Sequence, residues 1–468
     1  NASEYFLAGK SQNWFVVGSS LFAASVSSST LMGHSGEGFI SGIAVFNYNV
    51  GAIFVIIFVS LFFLPFYIKS GIYTIPEYLG RRFDNRSRKY FSFITIIGNV
   101  FLDAGAALYT GALILKIIFP EIDMMWIIIG MALMAGTYTI IGGLSSAINA
   151  DMIQSIILIA GSVLLSIFCF NSVGGWENFV EHFHDGVWLN LIRPNSDTTV
   201  PWFSIFLSIP ILGFYFWGNN QVIVQRVMSA KTVNEGRLGF LFVAFLYVFT
   251  LFIFIAPGMV GRMIDLFGVG DTLPNEIIDG NTLRAQYGID TNEVYPRLIL
   301  KLLPVGLIGV MIACMVSALT STLSATLSSV STLFTMDFYK SWRPESSPRH
   351  LVRVGQWTSF IALVVAVLWA PLIGKFASLV AYYQEFSSYL APPIVGTFLV
   401  GLFWKGSTRN GAFAGLMSGL AMSALIMTYK FGFGGVVPFH FLLWVPILLI
   451  LSVLVNIIVS KCDRNKET

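Results

Sequence analysis

The sequence is poor in charge and in cysteine, and it contains no phosphate-binding loop. Only 11% of its 468 residues are charged, against about 25% in an average soluble domain. The three cysteines, Cys169, Cys314 and Cys462, are widely spaced, which excludes a disulfide framework and a cysteine metal cluster. The chain also lacks a Walker motif and a basic patch interleaved with aromatic residues. These absences exclude P-loop nucleotide hydrolases and nucleic-acid-binding proteins.

Apolar residues dominate the chain and predict a protein that crosses a membrane many times. Hydrophobic residues make up 56% of the sequence, and the mean hydropathy is +0.76. A helix needs about 20 apolar residues to cross a hydrocarbon core roughly 30 Å thick. We therefore expect an all-α membrane protein, embedded in a lipid bilayer as a single transmembrane domain of residues 1–468. Twelve stretches are long enough, at about 14–38, 42–68, 90–117, 124–142, 148–172, 202–228, 235–260, 303–336, 352–372, 376–403, 410–429 and 438–460.

Basic residues fall on alternate connections between these stretches. If residues 1–13 are cytoplasmic, the connections on that side hold 19 of the 27 lysines and arginines, whereas the opposite connections, 173–201 and 261–300, are acidic. Because cytoplasmic loops are rich in Lys and Arg, this distribution predicts the orientation. The 19 are Lys10, Lys69, Arg81, Arg82, Arg86, Arg88, Lys89, Arg226, Lys231, Arg237, Lys340, Arg343, Arg349, Arg353, Lys405, Arg409, Lys461, Arg464 and Lys466.

Hydroxyl side chains are concentrated in two of the apolar stretches. Residues 317–332 carry ten in sixteen positions, and four of these serines, spaced i, i+4, i+7 and i+11 from Ser317, share one helix face. A second cluster occupies residues 25–30. Hydrocarbon offers hydroxyls no partner, whereas hard cations bind oxygen ligands, so the two clusters are consistent with a buried ion site. Hydroxyl-mediated helix packing gives the same pattern, and the pattern alone leaves both interpretations open.

Two stretches contain residues that interrupt helices at matching positions of two halves. The first has small and hydroxylated residues at 23–29, and the sixth has Pro210, Gly213 and residues 218–220. These stretches open two five-span halves, 14–172 and 202–403, which are followed by extra helices at 410–460. Matched interruptions are typical of inverted-repeat transporters and indicate a binding site near the bilayer midplane. We also expect the tenth stretch to be interrupted, at 387–393.

Five short sequences, in order along nearly the whole chain, resemble the sodium:solute symporter family, in particular the bacterial sodium/galactose transporter and the sodium/glucose cotransporters. The resemblance implies a leucine-transporter-type fold of two inverted five-helix repeats plus additional helices, which works by alternating access. The sequences are Glu4–Ser11, Gly71–Tyr78, Gly142-Gly143-Leu144 with Asp151–Gln154, Gln221–Arg226 and Phe334–Lys340.

The resemblance implies a sodium site and, conditionally, a second one. The family's sodium site uses carbonyls of the broken first helix together with a carbonyl and two hydroxyls of the eighth. Some members have a second site, for which Asp151 and Ser324 match, but Ala325 stands where a serine is expected. Asp151 could instead cap the fifth span, since a carboxylate favours a helix N-terminus. At the first site the matching Na⁺ ligands are the carbonyls of Ala23, Val26 and Ala318 and the hydroxyls of Ser321 and Thr322.

The resemblance also implies a set of substrate-binding positions. Trp217 and Gln384 match sugar-binding members, whereas Asn49, Phe216 and Tyr247 depart from them, so the resemblance does not identify the solute. A tryptophan can stack on the apolar face of a sugar ring, and the polar side chains can donate to and accept from its hydroxyls. The candidate substrate-binding residues are Thr30, His34, Asn49, Asp103, Phe216, Trp217, Tyr247 and Gln384.

Asp103 and His34 each allow more than one interpretation. A carboxylate in the centre of a span is energetically expensive and marks a functional site by default. Asp103 could accept two sugar hydroxyls, pair with a cationic substrate, or only pair with neighbouring polar groups. His34 lies in the polar sequence 33–38 and could donate to a substrate or be a solvated loop residue.

The sequence therefore predicts a sodium-coupled symporter that takes up a small polar solute, a sugar or polyol, by alternating access. The alternatives are a sodium-coupled carrier for an amino acid, a carboxylate or a cation, and a membrane solute sensor that does not transport. An enzyme is not expected, because no nucleophile–base pair or metal-ligand cluster is recognisable. We expect a multi-pass protein of the plasma membrane, specifically a bacterial inner membrane, with Na⁺ as its coupling ion and no nucleic-acid partner.

Overall fold

The computed structural model of the chain describes residues 8–184, 186–195, 197, 199–270, 273, 277–278, 280–374, 379–435, 437 and 439–467. Within these residues the regular structure is entirely helical, so the all-α prediction is confirmed. The start of the Glu4–Ser11 sequence and of the tenth predicted stretch lie outside the described residues. The helices are α1 (Trp14–Ser25), α2 (Ser28–Ser41), α3 (Phe46–Phe62), α4 (Leu64–Ser70), α5 (Ile75–Arg82), α6 (Asn85–Ile118), α7 (Met124–Ser172), α8 (Trp176–His184), α9 (Trp202–Phe214), α10 (Gln221–Val227), α11 (Val233–Val248), α12 (Ala256–Met263), α13 (Gly280–Tyr287), α14 (Val294–Leu302), α15 (Val305–Trp342), α16 (Pro348–Ile373), α17 (Leu379–Phe403), α18 (Arg409–Met427) and α19 (Phe441–Glu467).

Among the described residues, ten helical segments are long and apolar enough to cross a membrane, or eleven if a pair bent by 45° at residues 248–251 counts as one crossing. The sequence predicts twelve stretches, and the difference from this number arises at the start of the chain. α1 has only 12 residues, and residues 28–62 qualify as one apolar segment. Gly42 nevertheless ends α2 with a positive φ of 70°, a conformation that glycine adopts without steric cost.

α1 and α15 lie among the other helices and position the site. α1 packs against α7 and α11, and α15 packs along α7 and against α6 and α16. α18 and α19 pack on each other and α19 also packs on α17, so the additional helices lie on one side of the bundle. The division into repeats at 14–172 and 202–403 stays a prediction.

Small residues allow α2 and α12 to touch through their backbones. A methyl group on Gly258 would lie 1.9 Å from the Ser35 carbonyl oxygen, and one on Gly38 would lie 2.3 Å from the Ile255 carbonyl oxygen. Such close approach through small residues is typical of packing between membrane helices. It fixes α2, the second half of the broken first helix, against the seventh apolar stretch.

The two predicted helix interruptions at the start of each half are confirmed. α1 ends at Ser25 and α2 begins at Ser28, with extended backbone at Val26 and Ser27. In the sixth stretch, a π-helical segment at Tyr215–Asn219 follows α9, and extended backbone at Asn220 precedes α10. π-helical turns inside α-helices are frequent at functional sites.

The predicted interruption at 387–393 is wrong, because α17 continues through Pro392 and Pro393. A proline has no N–H to donate to the carbonyl four residues earlier, which here belongs to Ser388 or Tyr389. The Ser423 hydroxyl of α18 donates to the Tyr389 carbonyl at 2.7 Å. A neighbouring helix thus supplies one missing hydrogen bond, as membrane helices often require.

Candidate functional site

The break between α1 and α2 releases two backbone carbonyls from helical hydrogen bonding. In a continuous helix the Ser27 amide would donate to the Ala23 carbonyl, and the Thr30 amide to the Val26 carbonyl. Instead the Ser27 amide donates to Thr30 Oγ1 at 3.3 Å, and the Thr30 amide donates to Ser27 Oγ at 3.1 Å. This reciprocal capping box stabilises the start of α2. It leaves the carbonyl oxygens of Ala23 and Val26 free to bind a cation.

Thr322 of α15 brings a hydroxyl to the cavity beside the break between α1 and α2. Val26 and Thr322 line one cavity, and Thr322 Oγ1 donates to the Ala318 carbonyl at 3.0 Å. The hydroxyl oxygen therefore keeps lone pairs for a cation while its proton points at the helix backbone. These neutral oxygens fit Na⁺, a hard cation that needs oxygen ligands.

Ser321 points away from that cavity, towards a buried charge network beneath it. Its hydroxyl donates to Asp151 Oδ1 at 2.6 Å, while the Ser20 hydroxyl and Arg226 Nη2 each donate to Asp151 Oδ2 at 2.8 Å. All four side chains have an exposed fraction of 0%. We call the Asp151–Arg226 pair, together with the two serines that donate to Asp151, the inner ion pair. They connect α1, α7, α10 and α15 below the helix break.

The structure corrects the capping role considered for Asp151. The residue lies in the interior of α7, which has 49 residues, so it cannot stabilise a helix N-terminus. Its carboxylate is balanced by the Arg226 guanidinium, and such a pair resists removal of either partner. Ser324, the other residue of the conditional second site, is buried and its hydroxyl has no hydrogen-bond partner among the described residues.

A cavity of about 210 Å³ opens beside the break. By the same measure one water needs roughly 10–15 Å³, so the space admits an organic solute. Every one of the eight candidate substrate-binding residues lines this cavity. They are Thr30, His34, Asn49, Asp103, Phe216, Trp217, Tyr247 and Gln384.

A hydrogen-bonded chain ties the polar wall of the cavity together. His34 lies in helix α2, so the solvated-loop interpretation is wrong. Its Nδ1 lies 3.0 Å from the Thr30 carbonyl and its Nε2 lies 3.2 Å from Asn49 Oδ1. Asn49 Nδ2 then donates to Thr250 Oγ1 at 2.7 Å, and Thr250 donates to the Tyr247 carbonyl. The chain holds the imidazole and the amide in fixed orientations at the cavity wall.

Aromatic rings form another part of the lining. Trp217 and Phe216 belong to the π-helical segment before the second break, and the Tyr67 hydroxyl fixes that segment by donating to the Gly218 carbonyl at 2.8 Å. The rings of Trp217 and Tyr247 meet edge to face, with centroids 5.4 Å apart. Tyr247 in turn meets Phe22, just before the first break, with centroids 6.3 Å apart. The aromatic contacts thus connect the two broken helices.

Asp103 lies in another π-helical segment, Gly98–Ala104 of α6. Its carboxylate interacts with the Tyr383 hydroxyl of α17. The Asn99 side chain can be oriented so that both its amide nitrogen and its amide oxygen form hydrogen bonds. In that orientation the nitrogen donates to Asp103 Oδ2 at 3.3 Å, and the oxygen accepts from the Ser329 hydroxyl at 2.7 Å. No ion pair of the described residues includes Asp103.

Several lining residues were not among the candidates from the sequence. Tyr383 precedes Gln384, and Tyr215 precedes Phe216, so both have a candidate as their neighbour. Asn220 is the helix cap at the second break, and Thr250 belongs to the Asn49 chain. Asn220 could have been found from the sequence 218–220, because glycine and asparagine at a predicted break are typical lining residues. Thr250 carries no such signal.

Comparisons with known proteins place this geometry among cotransporters. Residues 5–419 match the model of the sodium:solute symporter family. The sodium/glucose cotransporter 1 of Oryctolagus cuniculus is 31% identical over 492 residues, which cover 97% of this chain and 74% of that protein. The sodium/mannose cotransporter SLC5A10 of Bos taurus is 33% identical over 446 residues, which cover 91% of this chain and 74% of that protein.

A solved structure shares the fold. The substrate-bound outward-open state of a Na⁺-coupled sialic acid symporter superposes with a TM-score of 0.82 at 24% identity, covering 98% of this chain and 92% of that one. The leucine-transporter-type fold implied by the sequence is therefore confirmed.

Proposed function

The chain belongs to the sodium:solute symporter family, and from this premise we propose that it takes up a sugar or polyol together with Na⁺ by alternating access. The observation that carries the proposal is that one cavity adjoins both sets of candidate ligands. Val26 and Thr322, two of the five candidate Na⁺ ligands, line it, and Trp217 and Gln384 line it as well. An ion and a solute bound there would share the broken first helix.

The coupling ion is Na⁺, bound by the carbonyls of Ala23, Val26 and Ala318 with the hydroxyl of Thr322. Ser321 completes the set when its hydroxyl oxygen turns from Asp151 towards the ion. Binding at the break would order Val26 and Ser27 and so stabilise the adjoining wall of the solute cavity. Coupling follows if ion and solute favour the same conformation, because a ligand with equal affinity for both states shifts nothing.

We propose that a single Na⁺ accompanies each solute. A second ion at Asp151 and Ser324 would have to share the Asp151 carboxylate with Arg226, whose Nη2 lies 2.8 Å from Asp151 Oδ2. The Arg226 guanidinium already supplies the positive charge that such an ion would bring. Comparing Na⁺ flux with solute flux tests this ratio: two ions per solute would restore the second site.

Opening of the cavity towards the cytoplasm would require two polar clusters to separate. One is the inner ion pair. The other, which we call the inner cluster, joins α5, α6 and α15: Asp337 accepts from the Thr74 hydroxyl at 2.8 Å, from Arg88 at 2.6 Å and from the Ser92 hydroxyl. Both carboxylates are 0% exposed. These contacts would hold the cytoplasmic side closed until both ligands have bound.

The relatives' names support a sugar or polyol as the solute, since they include glucose and mannose cotransporters. The cavity supplies the matching chemistry: amide donors and acceptors from Asn49 and Gln384, a hydroxyl from Thr30, and the indole face of Trp217. We propose the plasma membrane as the location, and in a bacterial host the inner membrane.

Uptake into proteoliposomes tests the proposal. The panel is D-glucose, D-mannose, myo-inositol and L-proline, each with an inward Na⁺ gradient or with K⁺ in its place. We expect saturable accumulation of at least one sugar or polyol only with Na⁺. Accumulation that is indifferent to Na⁺ would refute the proposal, and uptake of proline alone would favour the amino-acid carrier.

A further inference from the structure

We propose that the solute carries a protonated amino group that pairs with Asp103, so that the favoured substrate class is an amino sugar. This inference rests on the proposed function, because it concerns the same cavity. It begins from the different surroundings of the carboxylates inside the bundle.

Three carboxylates buried in membrane-spanning helices each have a basic partner. Asp151 pairs with Arg226, Asp337 with Arg88, and Glu385 with Lys430. The pattern agrees with the cost of an unbalanced charge in a span, which amounts to several kcal/mol even after relaxation. Asp103 and Glu37 differ, since neither belongs to an ion pair of the described residues; of these two, Asp103 lines the cavity, and its partners are a phenol and an amide. Neither group carries a balancing positive charge.

The ionisable side chains that line the cavity do not supply that charge either. The basic one among the described residues is His34, and its ring nitrogens lie against the Thr30 carbonyl and Asn49 Oδ1 and not against Asp103. The others are Asp103 and the phenols of Tyr48, Tyr215, Tyr247 and Tyr383. Within the described part of the chain, Asp103 therefore has no basic side chain against it, and a cationic solute would provide the balancing charge.

The surroundings of Asp103 suit an ammonium group. Tyr215 and Tyr383 lie close enough to interact electrostatically with its carboxylate, and both line the cavity. Aromatic faces attract a cation, and an ionised carboxylate has about four acceptor positions, of which a phenol and an amide use two. A primary ammonium group has three N–H donors, which can bind to the remaining acceptor positions of the carboxylate.

The rest of the lining selects a polyhydroxylated body for that ammonium. Thr30, Asn49, Gln384 and Ser387 offer donors and acceptors along the wall, and Trp217 offers an apolar face. A simple quaternary amine has no N–H to donate to the carboxylate and no hydroxyl to pair with this wall, so it would gain fewer hydrogen bonds. A hexosamine would satisfy both the carboxylate and the amide-lined wall.

Equilibrium binding to the full-length protein in nanodiscs with saturating NaCl tests the inference, with tryptophan fluorescence as the signal. The probes are D-glucosamine, D-glucose and N-acetyl-D-glucosamine, in which acetylation removes the charge. A hydrogen bond between charged groups contributes about 1.5–3 kcal/mol, so we expect D-glucosamine to bind about tenfold or more tightly than D-glucose. N-acetyl-D-glucosamine should bind no more tightly than D-glucose.

Two variants separate Asp103 from the other carboxylates. Asp103→Asn should bring the affinity for D-glucosamine to that for D-glucose, whatever the change in D-glucose affinity itself, and a monodisperse size-exclusion profile shows that the variant is folded. Glu37→Gln is the matched control, because Glu37 is a carboxylate of the same bundle that does not line the cavity, and it should keep the preference.

The outcomes distinguish this inference from the proposed function. If D-glucose binds with Na⁺ and D-glucosamine binds no better, the inference fails and the symporter proposal stands. A preference that survives in Asp103→Asn, or a loss of Na⁺ affinity without any change in the preference, would also overturn it. If no sugar binding depends on Na⁺, the proposed function itself fails.

Discussion

Removing the Thr322 hydroxyl provides a direct test of the proposed sodium site. In Thr322→Val the side chain keeps its branched shape, so the 7% exposed position stays filled. The hydroxyl now donates to the Ala318 carbonyl at 3.0 Å, and that carbonyl retains its place in the α15 backbone. The variant therefore removes one oxygen ligand and little else.

The expected size of the effect follows from the interaction of a polar group with a charge. A hydrogen bond to a charged group contributes about 1.5–3 kcal/mol, and we take one hydroxyl–Na⁺ contact to be of that order. Since about 1.4 kcal/mol corresponds to a factor of ten, the Na⁺ concentration for half-maximal uptake should rise about tenfold to 150-fold. Solute uptake at saturating Na⁺ should largely recover.

The assay measures solute uptake by proteoliposomes across a series of Na⁺ concentrations. Thr322→Ser keeps the hydroxyl and should stay near the wild-type value. Thr358→Val is the matched control, because Thr358 makes the same bond to its own helix, donating to the Val354 carbonyl at 2.8 Å, in α16 away from the cavity. An unchanged Na⁺ dependence in Thr322→Val would remove this residue from the site. An equal shift in Thr358→Val would attribute the effect to the fold.

Three further variants probe other parts of the site. Asp151→Asn leaves the buried Arg226 charge without its partner, which costs about 3–5 kcal/mol of folding free energy. The melting temperature in detergent should therefore fall clearly, and an unchanged value would show that the ion pair is not needed for stability. Ser27→Ala removes the α2 cap, worth about 1 kcal/mol; Na⁺ affinity should fall about fivefold, and normal affinity would mean that the break is held by other contacts. Gln384→Leu removes a hydrogen-bonding side chain worth about 0.5–1.5 kcal/mol, so the affinity for the sugar should fall by roughly two- to tenfold. A higher affinity for the sugar would place Gln384 outside the surface that contacts it.

The parts of the fold that depend on local sequence could be predicted. The break between α1 and α2 follows from small and hydroxylated residues at 23–30, because Ser27 and Thr30 cap a helix wherever they meet its first turn. The break at Asn220 follows in the same way from residues 218–220. In both places the side chains that interrupt the helix also accept hydrogen bonds from backbone amides that the interruption exposes.

Features that depend on packing between distant helices could not be predicted. The sequence alone allows Asp151 to be a helix cap or an ion ligand, because its partner, Arg226, is 75 positions away and meets it only when α7 and α10 pack together. At one of the two prolines in α17, the carbonyl that loses its helical partner accepts from the Ser423 hydroxyl of α18. Each case involves a polar group whose partner lies on another helix, and periodicity along one helix carries no information about it.

The central claim is that ion and solute bind at the same helix break and stabilise each other there. The most direct test is reciprocal equilibrium binding: the affinity for the sugar that is taken up, measured with and without saturating Na⁺, and the affinity for Na⁺, measured with and without that sugar. Thermodynamic linkage requires both affinities to change by one factor, and we expect both to rise about tenfold or more. Sugar affinity that is the same in Na⁺ and in K⁺ would contradict the claim.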